Sequence, residues 1–185
     1  MSKIGLAICG SSGIDYVAQN HNMKVFRSII SIDGKDYKDY EDINSEQLYS
    51  LMKNATRIST SQTSTGELIQ IVKDFKNQGY TDLIMITISS GLSGTYQNVC
   101  LSSRDIEGIN VHVIDSLSVG YCEANIGLVA KEMIEKKLWY KNNCWDTWVS
   151  CKSQLYKLFS RWSTLFKIKW KTFKCTSIYW KYVKN

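Results

Sequence analysis

The sequence predicts an α/β fold, a mostly parallel sheet with helices on both faces, followed by a basic, Trp-rich tail of uncertain structure. Three observations carry this reading. Strand-like apolar runs alternate with helix-period segments through the first 138 residues, as a sheet built from βαβ units requires. One of these runs, Leu83 to Ile88, is apolar on both faces and suits a central strand covered from each side. Composition then breaks: residues 1–138 hold 13 Lys and Arg against 16 Asp and Glu, whereas residues 139–185 hold 10 against 1. All 11 glycines precede residue 128 and all six tryptophans follow residue 138. The expected organisation is therefore an α/β domain over 1–138 and a basic aromatic tail over 139–185. At 185 residues and 44% hydrophobic, the chain can build an ordinary core and is not disordered throughout.

The elements follow in order. Ile4, Leu6 and Ile8 form a short buried-strand run, stopped by Gly10-Ser11-Ser12-Gly13, whose glycines permit a tight turn. Val25 to Ile32 reads as a second strand, with Asp33-Gly34-Lys35 as a two-residue hairpin turn. Asn44 and Gln47 can cap a helix that carries Leu48, Leu51 and Met52 on one face. From Thr56 to Thr65, seven of ten residues are Ser or Thr, a stretch that cannot be a core element. Ser64-Thr65-Gly66-Glu67 has the form of a capping box. Leu68, Ile71, Val72 and Phe75 continue at helical spacing until Gly79. The strand Leu83 to Ile88 ends at Ser89-Ser90-Gly91-Leu92-Ser93-Gly94-Thr95. A helix with Tyr96, Val99 and Cys100 inward follows, then a strand Val111 to Ile114, then Asp115-Ser116 and an amphipathic helix through Ile126, Val129, Ala130 and Met133.

The tail admits three readings. Lys and Trp together suit nucleic acid or an anionic membrane surface. Phe166 to Lys171 alternates apolar and cationic residues as a lysine-guarded edge strand does. The third reading is an out-of-frame translation, because a glycine codon GGN shifted after a T is read as TGG, tryptophan. That reading accounts for the lost glycine and the gained tryptophan together.

Two hydroxyl-rich turns, Thr60-Ser61-Gln62 and Ser90 to Thr95, each precede a helix, and both can face one crevice at the carboxyl ends of the strands. Helix N-termini with neighbouring hydroxyls favour a small anion. With no Lys between residues 54 and 72 and only Arg57 nearby, a singly charged carboxylate fits better than a polyphosphate. The plainer alternative is that Ser64 is only a helix cap and the Ser/Thr run only a surface loop.

Other chemistry finds little support. Gly91-Leu92-Ser93-Gly94 lacks nucleophile-elbow spacing, and no motif ties His21 or His112 to a serine. The phosphate-binding pattern G-x-x-x-x-G-K-[ST] is absent, and Gly10-Ser11-Ser12-Gly13 is too short for a dinucleotide fingerprint. The six cysteines contain no C-x-x-C pair and read as reduced thiols rather than metal ligands. No apolar run reaches the 18 residues of a transmembrane span, and the start lacks a signal-peptide pattern. The expectation is a cytoplasmic, cofactor-free protein in which nucleophilic catalysis, kinase and dehydrogenase activity find no motif.

At these turns the sequence resembles the DegV family of bacterial fatty-acid-binding proteins, from about Ile4 to Lys137. Thr60-Ser61-Gln62-Thr63-Ser64 is similar to a T-S-Q-P-S signature, and Ser89 to Gln97 to an S-S-x-L-S-G-T-Y-Q signature; Val113-Ile114-Asp115-Ser116 follows in order. The resemblance implies a two-domain α/β protein that holds a long-chain fatty acid and performs no chemistry on it. It implies that Ser61 and Ser93 donate hydroxyls to the carboxylate, with Thr60 and Gly94 adjoining. It further implies presentation of the lipid to a fatty-acid kinase whose acyl-phosphate product enters phospholipid synthesis. Cys9-Gly10-Ser11 stands where the family has T-D-S, and Thr63 where it has Pro. Nothing after residue 138 resembles the family's second domain, so a truncated chain is expected to bind lipid less well. The competing class is a non-lipid module whose basic tail binds nucleic acid or an anionic membrane surface.

Overall fold

The computed structural model describes residues 3–17 and 22–137; every reading of the tail, and His21, lies outside them. In chain order the strands are β1 (Ile4–Cys9), β2 (Lys24–Phe26), β3 (Ile29–Ile32), β4 (Lys35–Lys38), β5 (Ile58–Ser61), β6 (Asp82–Thr87) and β7 (Asn110–Asp115). The helices are α1 (Ile14–Val17), α2 (Ser45–Met52), α3 (Thr65–Asn77), α4 (Thr95–Ser103) and α5 (Tyr121–Glu135). A single 3-10 turn, Gly10–Ser12, joins β1 to α1.

The main sheet has the order β2-β1-β6-β7 and is parallel throughout. Leu6 lies opposite Ile84, and Met85 opposite Val113. As expected for a central strand, every residue of β6 is buried. Side-chain alternation sends Ala7, Cys9, Leu83 and Met85 into a core with Leu68, Ile71 and Val72 of α3 and Val99 of α4. On β1, the intervening Ile8 faces α5, where a Cβ on Gly127 would stand 2.7 Å from Ile8 Cδ1. Helices thus cover both faces of the sheet.

Several expectations need correction. The run from Val25 to Ile32 is two strands in two different sheets. β2 is an edge of the parallel sheet, while β3 is the middle of a separate antiparallel sheet, β4-β3-β5. The break falls at Arg27, whose guanidinium turns inward to Asp15 at 2.7 and 3.0 Å. The Ser/Thr run is not only loop, since Ile58–Ser61 pairs with β3, with all four residues exposed. Nor is it wholly excluded from the interior, because Thr63 is buried and donates its hydroxyl to the Arg27 carbonyl at 2.7 Å.

The hairpin turn is as expected, with Asp33 at φ 48° and Gly34 at φ 82° leading Ile32 back to Lys35. Asn44 and Gln47 form the full capping box of α2. The apolar face assigned to that helix is largely exposed, however: Leu51 and Met52 lie open, and only Leu48 packs, against Ile30, Ile32 and Ile43. At α3, Ser64 accepts from the Glu67 backbone N–H at 3.2 Å, but the Glu67 carboxylate does not close the box. It takes Lys38 of β4 at 3.1 Å instead, an ion pair between the antiparallel sheet and α3. In α4 the buried residues are Thr95, Val99 and Ser102, while Tyr96 and Cys100 are half-buried. In α5 Ile126 and Ala130 are buried as expected, Val129 and Met133 only half-buried, and Glu123 joins the interior.

Candidate functional site

Because all four strands of the main sheet run the same way, their carboxyl ends form one rim. The chain leaves β1 toward β2 but later returns to β1's other side as β6, whose own connection leads away to β7. The connections therefore diverge between β1 and β6, the switch point at which open α/β sheets leave a crevice. The Gly10–Ser12 turn flanks it on one side and the loop from Ser89 to Gly94 on the other. Residues 116–120 bridge the two: Ser89 N–H donates to the Ser118 carbonyl at 2.9 Å, and Gly120 N–H to the Ser11 carbonyl at 3.1 Å.

Two side chains fix the second hydroxyl loop. Asp115, at the end of β7, accepts from the backbone N–H of Ser90 at 3.1 Å and of Leu117 at 2.9 Å. Asn98, one turn into α4, reaches the first hydroxyl segment, donating its amide to the Thr63 carbonyl at 3.0 Å and accepting from the Thr65 hydroxyl at 2.9 Å. The Gln62 side chain also comes close to Gly94, where an added Cβ would stand 3.6 Å from Gln62 Oε1. Thr60-Ser61-Gln62-Thr63-Ser64 and Ser89 to Gln97, 25 residues apart at their nearest ends, are thus stitched together.

Within this frame Ser93 is half-buried, with its Oγ 2.8 Å from Thr95 Oγ1 and accepting the Thr95 N–H at 3.3 Å. Gly94 is the N-cap of α4 and offers no side-chain cap. Thr60 and Ser61 are exposed at the end of β5, paired with Ile30 and Ile29. Ser64 is a helix cap, as its plainer reading had it. Two nearby cations are engaged: Arg27 is held by Asp15 and, at 3.4 Å, by Glu41, and Lys38 by Glu67. The segment thus presents chiefly neutral hydroxyl donors.

Four residues with structural roles at this end were not assigned any from sequence: Arg27, Asn98, Asp115 and Glu123. Arg27 carried a signal, as the one charge inside an apolar run. Glu123 carried none, since an acidic residue in a helix's first turn is ordinary. Its side chain is 0% exposed; Ser11 Oγ lies 2.9 Å from Oε2, and Oε1 has no partner. Burial pushes its carboxyl up to about 8, against a smaller opposing pull from Ser11. Burial likewise raises the neighbouring Cys9 thiol.

His112 Nε2 lies 3.0 Å from Asp82 Oδ1, and Asp82 opens β6 at the opposite end of the sheet from the hydroxyl loops. Cys9, Cys100 and Cys122 are free thiols. Among the described residues no group of three or more His, Cys, Asp or Glu could hold a metal, and no helix is long and apolar enough to cross a membrane.

Comparison with known proteins agrees with this architecture. The pattern of the DegV family, a family described as uncharacterised, matches residues 8–139. A DegV domain-containing protein of Staphylococcus aureus is 38% identical over 110 residues, 59% of this chain and 38% of that protein. A DegV domain-containing 15.5 kDa protein of Staphylococcus aureus is 35% identical over 121 residues, 65% of this chain and 82% of that protein. Among solved structures, DegV from Bacillus subtilis, described as a fatty acid binding protein, superposes with a TM-score of 0.73 at 19% identity. The match covers 83% of this chain and 54% of that one. A stearic acid-binding protein from Eubacterium ventriosum superposes with a TM-score of 0.66 at 22% identity, covering 82% and 52%. The chain thus spans about two fifths of the first of these relatives and about half of the solved structures. It belongs to the DegV family.

Proposed function

We propose that this chain binds a long-chain fatty acid by its carboxylate and performs no chemistry on it. Ser61 and Ser93 donate their hydroxyls to the carboxylate, with Thr60 and Gly94 adjoining, and no cofactor takes part. The lipid is then presented, in the cytoplasm, to a fatty-acid kinase that feeds phospholipid synthesis. The observation that carries the reading is the pair of hydroxyl segments joined through Asn98 beside the switch-point crevice of a DegV domain. Neutral hydroxyls suit a singly charged carboxylate, since hydrogen bonds to an ionised group are stronger than neutral ones. The binding domain is residues 1–138, and residues 139–185 form no part of the proposed site.

Since the chain matches only about half of the solved fatty-acid-binding structures, we further propose that it holds its acyl chain weakly. Each CH₂ left in water forfeits about 0.8 kcal/mol. The test is palmitate binding to the Ser61→Ala, Ser93→Ala double variant. Two charge-assisted hydrogen bonds at about 1.5–3 kcal/mol each predict loss of measurable binding. Unchanged affinity in a folded double variant overturns the site.

A further inference from the structure

We propose that Ser11 is a third hydroxyl donor to the bound carboxylate, and that the buried Glu123 carboxyl makes it one by donating a hydrogen bond from its own O–H to Ser11 Oγ. The inference rests on the carboxylate-binding reading and adds a residue to that site. It starts from placement. Ser11 sits in the turn after β1 and Ser93 in the loop after β6, on the two sides of the crevice between those strands. Ser11 is half-buried, and Gly120 N–H holds its backbone carbonyl, so the turn is fixed against the start of α5.

Glu123 lies directly behind it, without solvent exposure, and among the described residues Ser11 is the sole hydrogen-bond partner of its carboxyl. An ionised carboxylate there would leave Oε1 with its charge unmet by any donor. No backbone N–H of α5 reaches it, so the helix end supplies none of the hydrogen bonds that hold an anion. A neutral acid leaves Oε1 only a carbonyl oxygen and turns Oε2 into a donor. The carboxyl's raised proton affinity agrees with that state at neutral pH.

The consequence for Ser11 is a reversal of its hydrogen bond. A serine hydroxyl has one proton. If Glu123 were ionised, that proton would be committed to Oε2 and Ser11 would turn lone pairs toward an incoming anion. With Glu123 protonated, Oε2–H donates to Ser11 Oγ, and the Ser11 proton is released to the ligand carboxylate, a stronger acceptor than the Cys9 sulfur that Ser11 also hydrogen-bonds. A buried acid thus converts a half-buried serine from acceptor to donor, a task a buried amide would perform equally well.

The titratable groups around Glu123 leave it this role. From β1 comes Cys9, whose thiol burial raises against a smaller opposing hydrogen bond from Ser11. From α1 come Asp15, bound to Arg27, and the exposed Tyr16. From β6 comes Asp82, at the opposite end of the strand beside His112.

The experiment uses the full 185-residue chain with ¹³C-labelled glutamate carboxyls, the Glu123 signal being assigned by its absence in Glu123→Gln. Palmitate and octanoate binding are measured across pH 6 to 10 for the wild type, Ser11→Ala and Glu123→Gln. The proposal expects Glu123 to be protonated at pH 7 and carboxylate affinity to fall as Glu123 ionises. Ser11→Ala should lose roughly tenfold or more in affinity at pH 7. Glu123→Gln, whose amide donates at every pH, should keep wild-type affinity at pH 7 and lose that pH dependence. A Glu123 signal already ionised at pH 7 overturns the proposal, as does undiminished affinity in Ser11→Ala. If the wild-type chain binds neither palmitate nor octanoate at any pH, the carboxylate-binding reading itself falls and takes this proposal with it. If both bind and only Ser11→Ala proves silent, that reading stands and this proposal alone fails.

Discussion

Asn98, directly after the second hydroxyl segment, grips the first with one amide, its nitrogen on the Thr63 carbonyl and its oxygen on the Thr65 hydroxyl. Asn98→Ala leaves the Thr63 carbonyl without that donor, and truncating one partner of a partly buried hydrogen bond costs about 1–3 kcal/mol. Urea denaturation should register that loss, and palmitate affinity should fall with it; an unchanged midpoint would mean the link carries no energy. Glu123 makes a separate prediction in pH. The folded chain keeps this carboxyl's proton up to about 8, whereas an ordinary glutamate releases it near 4.5. Between those values the folded state binds more protons than the unfolded one, so stability falls as pH rises. Each unit of the shift corresponds to about 1.4 kcal/mol. Urea midpoints of the wild type should therefore decline from pH 5 to pH 8 relative to those of Glu123→Gln, and parallel curves would contradict the burial argument. Neither residue was legible in the sequence. The motif serines declared themselves by clustering, but Asn98 is a single polar residue on a helix. Glu123 sits where an acid normally faces solvent at a helix N-terminus, and only tertiary packing shows that it does not.

At the scale of elements, local chemistry was readable wherever it was decided locally. The Asp33-Gly34 turn, the Asn44–Gln47 box, the α3 stripe and the doubly buried β6 all formed as their residues dictated. Failures came where a partner distant in sequence decided. Arg27 splits one apolar run between two sheets because Asp15 stands ready to bind it, and Glu67 leaves its capping role for Lys38. The β5 pairing with β3 could not be read from a run of serines and threonines, since backbone hydrogen bonds to a neighbouring strand leave no periodicity in an exposed edge. Close packing of β1 on α3 supplies the element-scale prediction. A Cβ on Gly5 would stand 2.5 Å from the Phe75 ring and 3.1 Å from Leu83 Cδ1. Gly5→Ala should therefore destabilise the chain by about 1–3 kcal/mol through overpacking. Adding Phe75→Leu should recover part of that loss, which a double-mutant cycle in urea would measure. Additive losses would show that the ring moves aside freely.

For the whole molecule, the decisive quantity is how much of an acyl chain finds a dry surface. The hydroxyl segments of the proposed headgroup site are all within the DegV-like half, and the chain matches 54% of the Bacillus subtilis DegV structure. Headgroup and tail of the lipid can therefore be separated by experiment. Complete burial contributes about 0.8 kcal/mol per CH₂, close to fourfold in affinity per carbon. Across octanoate, laurate and palmitate, a chain that buries the whole lipid would gain that factor at every carbon. For this 185-residue chain we expect a slope well below it, with Ser61→Ala, Ser93→Ala lowering affinity by the same factor for all three lipids. A full fourfold slope would overturn the proposed weakness and mean that the acyl chain is enclosed. Salt separates this behaviour from that of the basic tail. One carboxylate held by neutral hydroxyls involves little counterion release, whereas polyanion binding by the ten cations of residues 139–185 would weaken steeply between 50 and 200 mM salt. Palmitate affinity that is flat in salt, and retained when residues 139–185 are removed, would place binding in the α/β domain. Affinity that collapses with salt or with that deletion would assign it to the tail.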